Sequence, residues 1–149
     1  NFLSRSQIVI NITVKKLSAL EITGGCRIEA QGIKTDALGL KLTGASSVEF
    51  SNLIADQLST DMPGAGKIVI SGKVKEQQVN LTGAGNFSGG KLNSKKTKVN
   101  LTGVGNATVW ATDELDVTIT GVGRVDYYGE PKVKQSIAIL GTIKSLGQP

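Results

Sequence analysis

The chain has 149 residues, of which 39% are hydrophobic, and it carries a formal net charge of +5. This size and composition suit one domain with a sizeable core. The single cysteine, Cys26, excludes an intramolecular disulfide, and the absence of histidine excludes a Cys/His metal site. The lysines are scattered and only 4% of the residues are aromatic. We therefore expect no metal, no cofactor and no nucleic-acid partner.

The amino terminus predicts a processed chain. The sequence does not begin with methionine, and residues 1–5 lack the apolar core of a signal peptide. No stretch reaches the about 18 consecutive apolar residues of a membrane-spanning helix. We therefore expect a processed or truncated chain from which any export signal has been removed.

One short motif recurs along the chain in the order apolar, polar, apolar, threonine, glycine. Clear copies occupy residues 20–24, 40–44, 79–83, 99–103 and 117–121, and weaker copies occupy residues 60–64 and 137–141. The key glycines, at positions 24, 44, 64, 83, 103, 121 and 141, are 18 to 20 residues apart. A period of this length indicates a repeat fold.

Each repeat alternates apolar and polar residues, which is the period of a β-strand with one buried face. The alternation resumes after the glycine, as at Val48 and Phe50. A third, shorter apolar position follows at Ile33, Leu53, Val74, Leu92, Leu115 and Val133. About 20 residues is too short for a helical hairpin or a propeller blade, which need about 34 and about 40 residues. The asparagine ladder of leucine-rich repeats is also absent.

The repeat therefore predicts an all-β fold, a single-stranded, right-handed parallel β-helix of about seven rungs, forming one domain over residues 1–149. Two ladders should fill its interior. They are Leu20, Leu40, Val79, Val99, Val117 and Ile137, and Ile22, Leu42, Met62, Leu81, Leu101, Ile119 and Ile139. The outward positions should form a charge ladder and amide ladders. These are Glu21 with Lys41 and Asp61, Asn80 with Asn100, and Asn86 with Asn106.

Pairs of glycines separated by one residue occur at 64/66, 83/85, 103/105 and 121/123. A dinucleotide-binding fingerprint needs a third glycine and a following helix, whereas these pairs lead into predicted strands. We expect instead that a corner that recurs in every rung needs the backbone freedom of glycine.

The positions of the acidic residues indicate whether the chain could act like the β-helical enzymes that degrade pectin. The one local cluster, Asp113 with Glu114 and Asp116, lies on a predicted turn with no second cluster stacked on it. Glu29 and Glu49 should stack, but we expect no arginine or third acid beside them to polarise a uronate. We therefore predict that the chain is not an enzyme, and whether the acidic cluster binds anything stays open.

Tyr127 and Tyr128, followed by a Gly-Glu-Pro turn, form the densest aromatic signal in the chain. In one interpretation, Tyr127 packs inward near the end of the solenoid and Tyr128 covers the edge. In the other, exposed tyrosines anchor a glycan or a protein. Together with Asn86 and Asn106, the two tyrosines are the candidate ligand contacts.

The two ends of the repeat differ. After Asp126 the pattern changes, and Pro131 and the closing residues 144–149 are unsuited to accepting another rung. We predict that residues 124–149 form C-terminal capping rungs. The N-terminal end, which starts within residues 8–14, is open to further sequence or to pairing with a second chain.

Several short sequence motifs of the repeat resemble those of a known family. They are Leu-Thr-Gly-Ala-Gly, Leu-Thr-Gly-Val-Gly and, most specifically, Ile-Thr-Gly-Val-Gly-Arg-Val-Asp-Tyr-Tyr-Gly-Glu-Pro-Lys-Val at 119–133. They resemble the auto-transporter adhesin head GIN domain of Bacteroidetes over nearly the whole chain. The resemblance implies a β-helical domain exported to the cell envelope, often behind a lipoprotein signal, and it transfers no functional residue.

These observations favour a non-catalytic envelope or surface module of the adhesin type that binds a glycan or a protein. Two alternatives stay open: a structural β-helix that self-assembles, and a pectinase-like enzyme. The family resemblance implies an extracellular or envelope location, as an outer-membrane lipoprotein or on the periplasmic side. The N-terminal end is the expected place for homo-oligomer formation.

Overall fold

The computed structural model describes residues 9–12, 19–25, 27–138 and 140–149, and of the first range only the backbone. Predictions for residues 1–5, most of 8–14, Cys26 and Ile139 therefore lie outside the described residues. The described residues form eleven strands. They are β1 (Val9–Ile12), β2 (Ala19–Thr23), β3 (Arg27–Gln31), β4 (Lys34–Thr43), β5 (Ala45–Met62), β6 (Ala65–Leu81), β7 (Ala84–Leu101), β8 (Val104–Ile119), β9 (Val122–Tyr128), β10 (Lys132–Ile137) and β11 (Leu140–Ser145).

Every strand pairing in the described chain is parallel, and each strand pairs with the stretch one repeat further along. Strands β5 to β8 are consecutive neighbours, so that Val48 lies beside Ile68 and Ile68 beside Phe87. Strand β10 pairs with β8, and β11 pairs with β9. The result is a parallel β-solenoid of about 7 turns, which confirms the predicted fold.

The two predicted inward ladders form the interior through β8. Their buried members, each at most 2% exposed, are Leu40, Thr60, Val79, Val99 and Val117 in one column and Leu42, Met62, Leu81, Leu101 and Ile119 in the other. Parallel pairing places successive members about 4.8 Å apart. Burial of each such aliphatic side chain contributes roughly 1.5–3 kcal/mol, so the ladders are the main source of stability.

The predicted register of the last rung is wrong by two residues. The sequence motif aligned Gly141 with Gly121, but Gly141 pairs with Gly123, and Ile137 pairs with Ile119 rather than with Val117. The last repeat is therefore 18 residues long, like the one before it. Ile137 consequently lies in the second column, where it is 41% exposed because it belongs to an edge strand.

The predicted third apolar series is also wrong, because it combines three columns. Ile33, Leu53 and Leu92 belong to one column, while Val74 aligns with Ala55 in a second. Leu115 and Val133 align in a third column, together with Leu38, Leu58, Gln77 and Thr97. The corners between these positions differ in length from rung to rung, so a constant spacing in the sequence does not identify equivalent positions.

The repeated glycines are required for space rather than for backbone freedom, which corrects the reason given for them above. Among the key glycines of the described chain, only Gly24 and Gly44 have a left-handed φ, of 97° and 103°. At Gly103 and Gly121, an added Cβ would overlap the carbonyl oxygen of the key glycine of the preceding rung. The corners stack so closely that no side chain fits between them.

A hydrogen-bonded chain of polar side chains interrupts the aliphatic interior. The Gln77 amide nitrogen donates to the Thr97 hydroxyl at 3.2 Å and to the Ser94 hydroxyl at 3.4 Å. Ser94 donates to the carbonyl oxygen of Trp110 at 2.7 Å, so the Thr97 hydroxyl is the donor in its contact with Ser94. All three side chains are at most 3% exposed. Their mutual hydrogen bonds offset part of the cost of burial, although among the described residues the Gln77 side-chain oxygen has no hydrogen-bond partner.

The last turn continues the parallel ladder through β10 and β11. Most of its side chains are exposed, among them Val133 at 37% and Leu140 at 69%, whereas Ile143 of β11 packs against the core. The backbone of the final residues folds against β9, since the Leu146 amide donates to the Tyr127 carbonyl and the Gly129 amide to the Gly147 carbonyl, both at 2.8 Å. A capping role for residues 124–149 stays a prediction.

Candidate functional site

The candidate residues lie on one outer face of the solenoid, which we call the second-strand face. It consists of the outward side chains of residues 47–51, 67–71, 86–90, 106–110 and 124–128, whose first three positions are stacked in register before bulges shift the later ones. Alternation along each strand points Val48, Phe50 and their equivalents inward and leaves the intervening residues on the outer surface. Side chains from five turns therefore share this face.

The predicted amide ladders are present. On the second-strand face, the Asn106 side-chain amide donates to Asn86 Oδ1 at 3.3 Å. On the strand that precedes the key glycine, the Asn100 side-chain amide donates to Asn80 Oδ1 at 2.9 Å. Each donor uses one amide hydrogen for its neighbour, so amide groups of Asn86 and Asn106 keep further hydrogen-bonding capacity. Their contact with a ligand stays a prediction.

Tyr127 and Tyr128 point to opposite sides of β9. The Tyr127 side chain packs against the core, as one interpretation of the sequence predicted. Tyr128 does not cover the end of the solenoid; it lies across the second-strand face toward β7. Its ring approaches Gly90 so closely that an added Cβ there would lie 3.0 Å from Tyr128 Cε2 and 3.2 Å from Thr108 Cγ2. The glycine thus provides the space for the ring.

A groove runs along the second-strand face beside this ring, and we call it the Tyr128 groove. Its volume is about 770 Å³. It is lined by Glu49, Phe50, Ser51, Val69, Ile70, Ser71, Ser88, Gly90, Lys91, Thr108, Tyr128, Gln148 and Pro149. The lining therefore combines an aromatic ring, several hydroxyl groups and one cation, and it extends over β5, β6, β7, β8 and β9.

The groove exists because the chain makes a long β-bulge at this point. Ser88 pairs with Thr108 and Asn93 with Trp110, so that residues 89–92 of β7 stand opposite Val109 alone. Extra residues in one strand bend it and redirect its side chains, and such bulges occur preferentially beside functional sites. Here the bulge brings Lys91 to the groove.

Trp110 is a site residue that the sequence analysis did not identify. It pairs in register with Tyr128 on the neighbouring strand, and both side chains are half-buried. The chain's single tryptophan thus stands next to its one outward tyrosine. The 18-residue spacing between them, equal to the spacing of Gly103 and Gly121, is the signal that could have revealed the pair.

The acidic cluster lies on a different face, where its charges are interleaved with lysines. Two outward columns, in register, are Glu76, Lys96, Glu114 and Lys132, and Gln78, Lys98, Asp116 and Lys134. A shallow groove of about 420 Å³ follows these columns. Asp113 accepts a hydrogen bond from Thr112 at 3.0 Å. Neighbouring opposite charges stabilise a sheet modestly and account for the cluster without a ligand.

Glu29 and Glu49 pair in register as predicted, but the expected lack of a nearby arginine is wrong. Arg27 Nε lies 3.1 Å from Glu29 Oε1. Both side chains are more than 40% exposed, and the next residue in the column is Val69. One exposed ion pair and one further carboxylate do not form an enclosed acid pair of the kind that glycosidic cleavage uses.

Metal ligands and membrane spans were sought in the described part of the chain. Within it, no three Cys, Asp or Glu residues converge in a way that could hold a metal ion. In residues 9–12, 19–25, 27–138 and 140–149, no helix is long and apolar enough to cross a membrane.

The sequence matches the family model described as "Putative auto-transporter adhesin, head GIN domain" over residues 1–131. The chain belongs to this family, as the repeat words predicted. The family description associates its members with the cell surface or envelope and with adhesion rather than with catalysis. Among curated proteins, none matches the sequence significantly.

Solved structures with the same fold come from Bacteroides fragilis and Parabacteroides distasonis. A putative adhesin from Bacteroides fragilis is 26% identical with a TM-score of 0.79 over 87% of this chain, and one from Parabacteroides distasonis is 25% identical with a TM-score of 0.79 over 94%. A structure described as a putative lipid binding protein, also from P. distasonis, shares the fold at 23% identity with a TM-score of 0.78 over 93% of this chain. The chain spans 61%, 61% and 56% of the length of these three structures, respectively.

Proposed function

We propose that this chain is a non-catalytic binding module of the cell envelope or surface, and that it binds an extended glycan in the Tyr128 groove. The observation that carries the proposal is the position of Tyr128, whose ring lies along an open groove of about 770 Å³ instead of packing into the core. A ring with an apolar face and a polar tip is suited to sugars, which present C–H faces and hydroxyl groups.

The repeat geometry favours a linear glycan over a compact ligand. Hydroxyl groups recur from strand to strand along the groove, at Ser51, Ser71, Ser88 and Thr108. Ser88 and Thr108 are in register on adjacent strands, which are about 4.8 Å apart, a spacing close to that of successive sugar rings in a linear polysaccharide. Asn86 and Asn106 extend the same polar surface beyond the groove.

The absence of converging acids supports binding rather than cleavage. The acids of the second-strand face are engaged or isolated: Asp126 Oδ1 lies 2.6 Å from Arg124 Nε, and Glu49 stands on β5 at the far end of the groove. A retaining or inverting glycosidase needs two carboxyl groups at a defined short separation across the bond. An envelope location, including a lipoprotein anchor or a periplasmic orientation, is part of the same proposal, and the adhesin description of the family supports an envelope or surface location.

The test is the binding of the chain to a panel of linear oligosaccharides, measured by titration calorimetry. We expect Tyr128→Ala to weaken the best ligand at least about tenfold, equivalent to about 1.4 kcal/mol, because the aromatic platform is lost. The matched control is Val122→Ala, which truncates an exposed residue on the same strand, 47% accessible and outside the groove. Equal binding by the two variants would refute the groove as the binding site.

A further inference from the structure

Lys91 owes its position to the long bulge in β7. On either side of the bulge the register is regular, with Ser88 beside Thr108 and Asn93 beside Trp110. Lys91 itself pairs with Ser71 of β6 and is exposed at the groove. A regular strand without the bulge would place no lysine here, so this irregularity delivers a cation to the groove.

The charge of Lys91 is available for a ligand. Within the described part of the chain, Lys91 forms no ion pair; the cations that do are Arg27 with Glu29, Lys75 with Asp56 and Arg124 with Asp126. Its in-register neighbour Ser71 is neutral. Lys91 therefore differs from the lysines of the alternating columns, whose neighbours are acids.

The groove is electrostatically asymmetric along its length. Among its described lining residues, the only acidic side chain is Glu49, on β5. Lys91 is on β7, two strand spacings or about 10 Å further along the solenoid. At that separation, on a solvated surface, the attraction between the two charges is well below 1 kcal/mol. Among the described lining residues, Lys91 is thus the one charged side chain near the end of the groove that holds Tyr128, in a chain whose net charge is +5. Asp126, which is in register with Thr108 and outside the lining, is paired with Arg124.

We propose that the glycan bound in the Tyr128 groove is anionic, and that Lys91 pairs with an acid group on the sugar that packs against Tyr128. The inference rests on the proposed function and specifies its ligand class. The shared chemistry is a sugar that carries a carboxylate or a sulfate. An ammonium group forms charge-assisted hydrogen bonds with either anion, and these are stronger than bonds to neutral hydroxyl groups.

The experiment compares three probes of equal length: oligomers of galacturonic acid, sulfated oligomers of galactose and neutral oligomers of galactose. We expect the intact chain to bind at least one anionic probe at least about tenfold more tightly than the neutral one, and the difference to shrink at high salt. The carboxylated and sulfated probes identify which acid is recognised. Recovery of intact oligomers after incubation checks that they are bound and not cleaved.

Variants then assign the preference to Lys91. Lys91→Gln should weaken binding of the preferred anionic probe at least about tenfold and so remove the preference over the neutral probe, and Lys91→Arg should restore most of it. The matched control is Lys95→Gln, which removes the same charge from an exposed lysine of β7 outside the groove and should change affinity by less than about twofold. Thermal melting of all variants verifies that they fold.

The outcomes separate this inference from the proposed function. If Tyr128→Ala abolishes binding but Lys91→Gln behaves like Lys95→Gln, the groove binds a neutral glycan and the anionic ligand class is wrong. Equal affinity of the intact chain for neutral and anionic probes leads to the same conclusion. Absence of binding to all three probes contradicts the proposed ligand class and leaves glycan binding to be decided by the wider panel.

Discussion

The corner that carries the glycine motif and the corner that follows the second strand are built in opposite ways. Around the glycine motif, residues stack from β6 to β9 without a register shift, as in the series Ala65, Ala84, Val104 and Val122. After the second strand, each of the three interfaces between β5 and β8 contains a register shift. The regular corner maintains the stack, and the irregular corner forms the Tyr128 groove.

This difference teaches where function can reside in a repeat protein of this kind. A corner that stacks backbone on backbone has no room for side chains, so it cannot form a pocket. A corner whose length varies leaves gaps between neighbouring turns, and side chains such as Tyr128 and Lys91 project into them. Three predictions test this division, starting with the largest expected effect.

Deleting one whole turn should preserve the fold, whereas deleting part of a turn should not. Removing residues 84–103 joins Gly83 to Val104, which occupies the same place in the stack as Ala84. We expect a shorter, cooperatively folded solenoid, because every inward column keeps its register. It should be less stable than the parent, because the deletion removes Ser94 and Thr97, the partners of Gln77. Removing residues 84–93 joins Gly83 to Ser94 and mismatches the columns, so this chain should be unfolded. Circular dichroism during thermal denaturation measures both, and equal loss of structure would contradict the assigned register.

Gly103→Ala should destabilise the regular corner strongly. The new methyl group would overlap the carbonyl oxygen of Gly83, and backbone on both sides leaves no room to relax. We expect a loss of about 3 kcal/mol or more in the free energy of unfolding.

The control for this change is Gly25→Ala, where the nearest atom, the Ala45 carbonyl oxygen, is 3.5 Å from the added Cβ. That variant should stay within about 0.5 kcal/mol of the parent. Denaturant titration of the two proteins gives the comparison. A similar cost for both would mean that space is not the reason for the glycine columns.

Unlike Gly103→Ala, Gly90→Ala should change stability little and weaken glycan binding strongly. The added Cβ would meet Tyr128 Cε2 at 3.0 Å, but this neighbour is a half-exposed side chain that can move away. We expect a change of less than about 1 kcal/mol in stability. Glycan affinity should fall about as much as in Tyr128→Ala, because the ring is displaced from the groove. Unchanged affinity in a folded variant would contradict the role of the ring position.

The sequence predicted correctly those parts of the molecule in which equivalent positions in neighbouring turns are a constant number of residues apart. The fold, the two inward ladders through Ile119 and the Asn86–Asn106 amide ladder all depend only on alternation and on the glycine spacing. The columns after the second strand could not be predicted, because bulges at residues 51–52 and 89–92 change the count between equivalent positions. A bulge is decided by packing against the neighbouring turn, and that information is not local.

The candidate site was predicted only in part for the same reason. Tyr128, Asn86 and Asn106 were found from composition and from the repeat, and they share one face as the alternation requires. Lys91 was missed because its place at the groove depends on the bulge in β7. Trp110 was missed although it pairs with Tyr128 without a register shift, because the 18-residue spacing of the two residues was not considered. The error in the last rung has a related cause, since Gly141 fits either glycine of the pair and only the packing of Ile137 on Ile119 distinguishes the two registers.

The buried hydrogen bonds among Gln77, Thr97, Ser94 and the Trp110 carbonyl distinguish the turns that contain them from the other turns. Aliphatic columns are nearly interchangeable, so a solenoid built from them alone can slip by one whole turn at little cost in apolar burial. A slip here would separate Gln77 from both hydroxyl groups and leave polar groups unpaired in an apolar interior, at about 1–3 kcal/mol each. These three polar side chains therefore specify the register of the solenoid, because they favour stacking of the turn that contains Ser94 and Thr97 on the turn that contains Gln77.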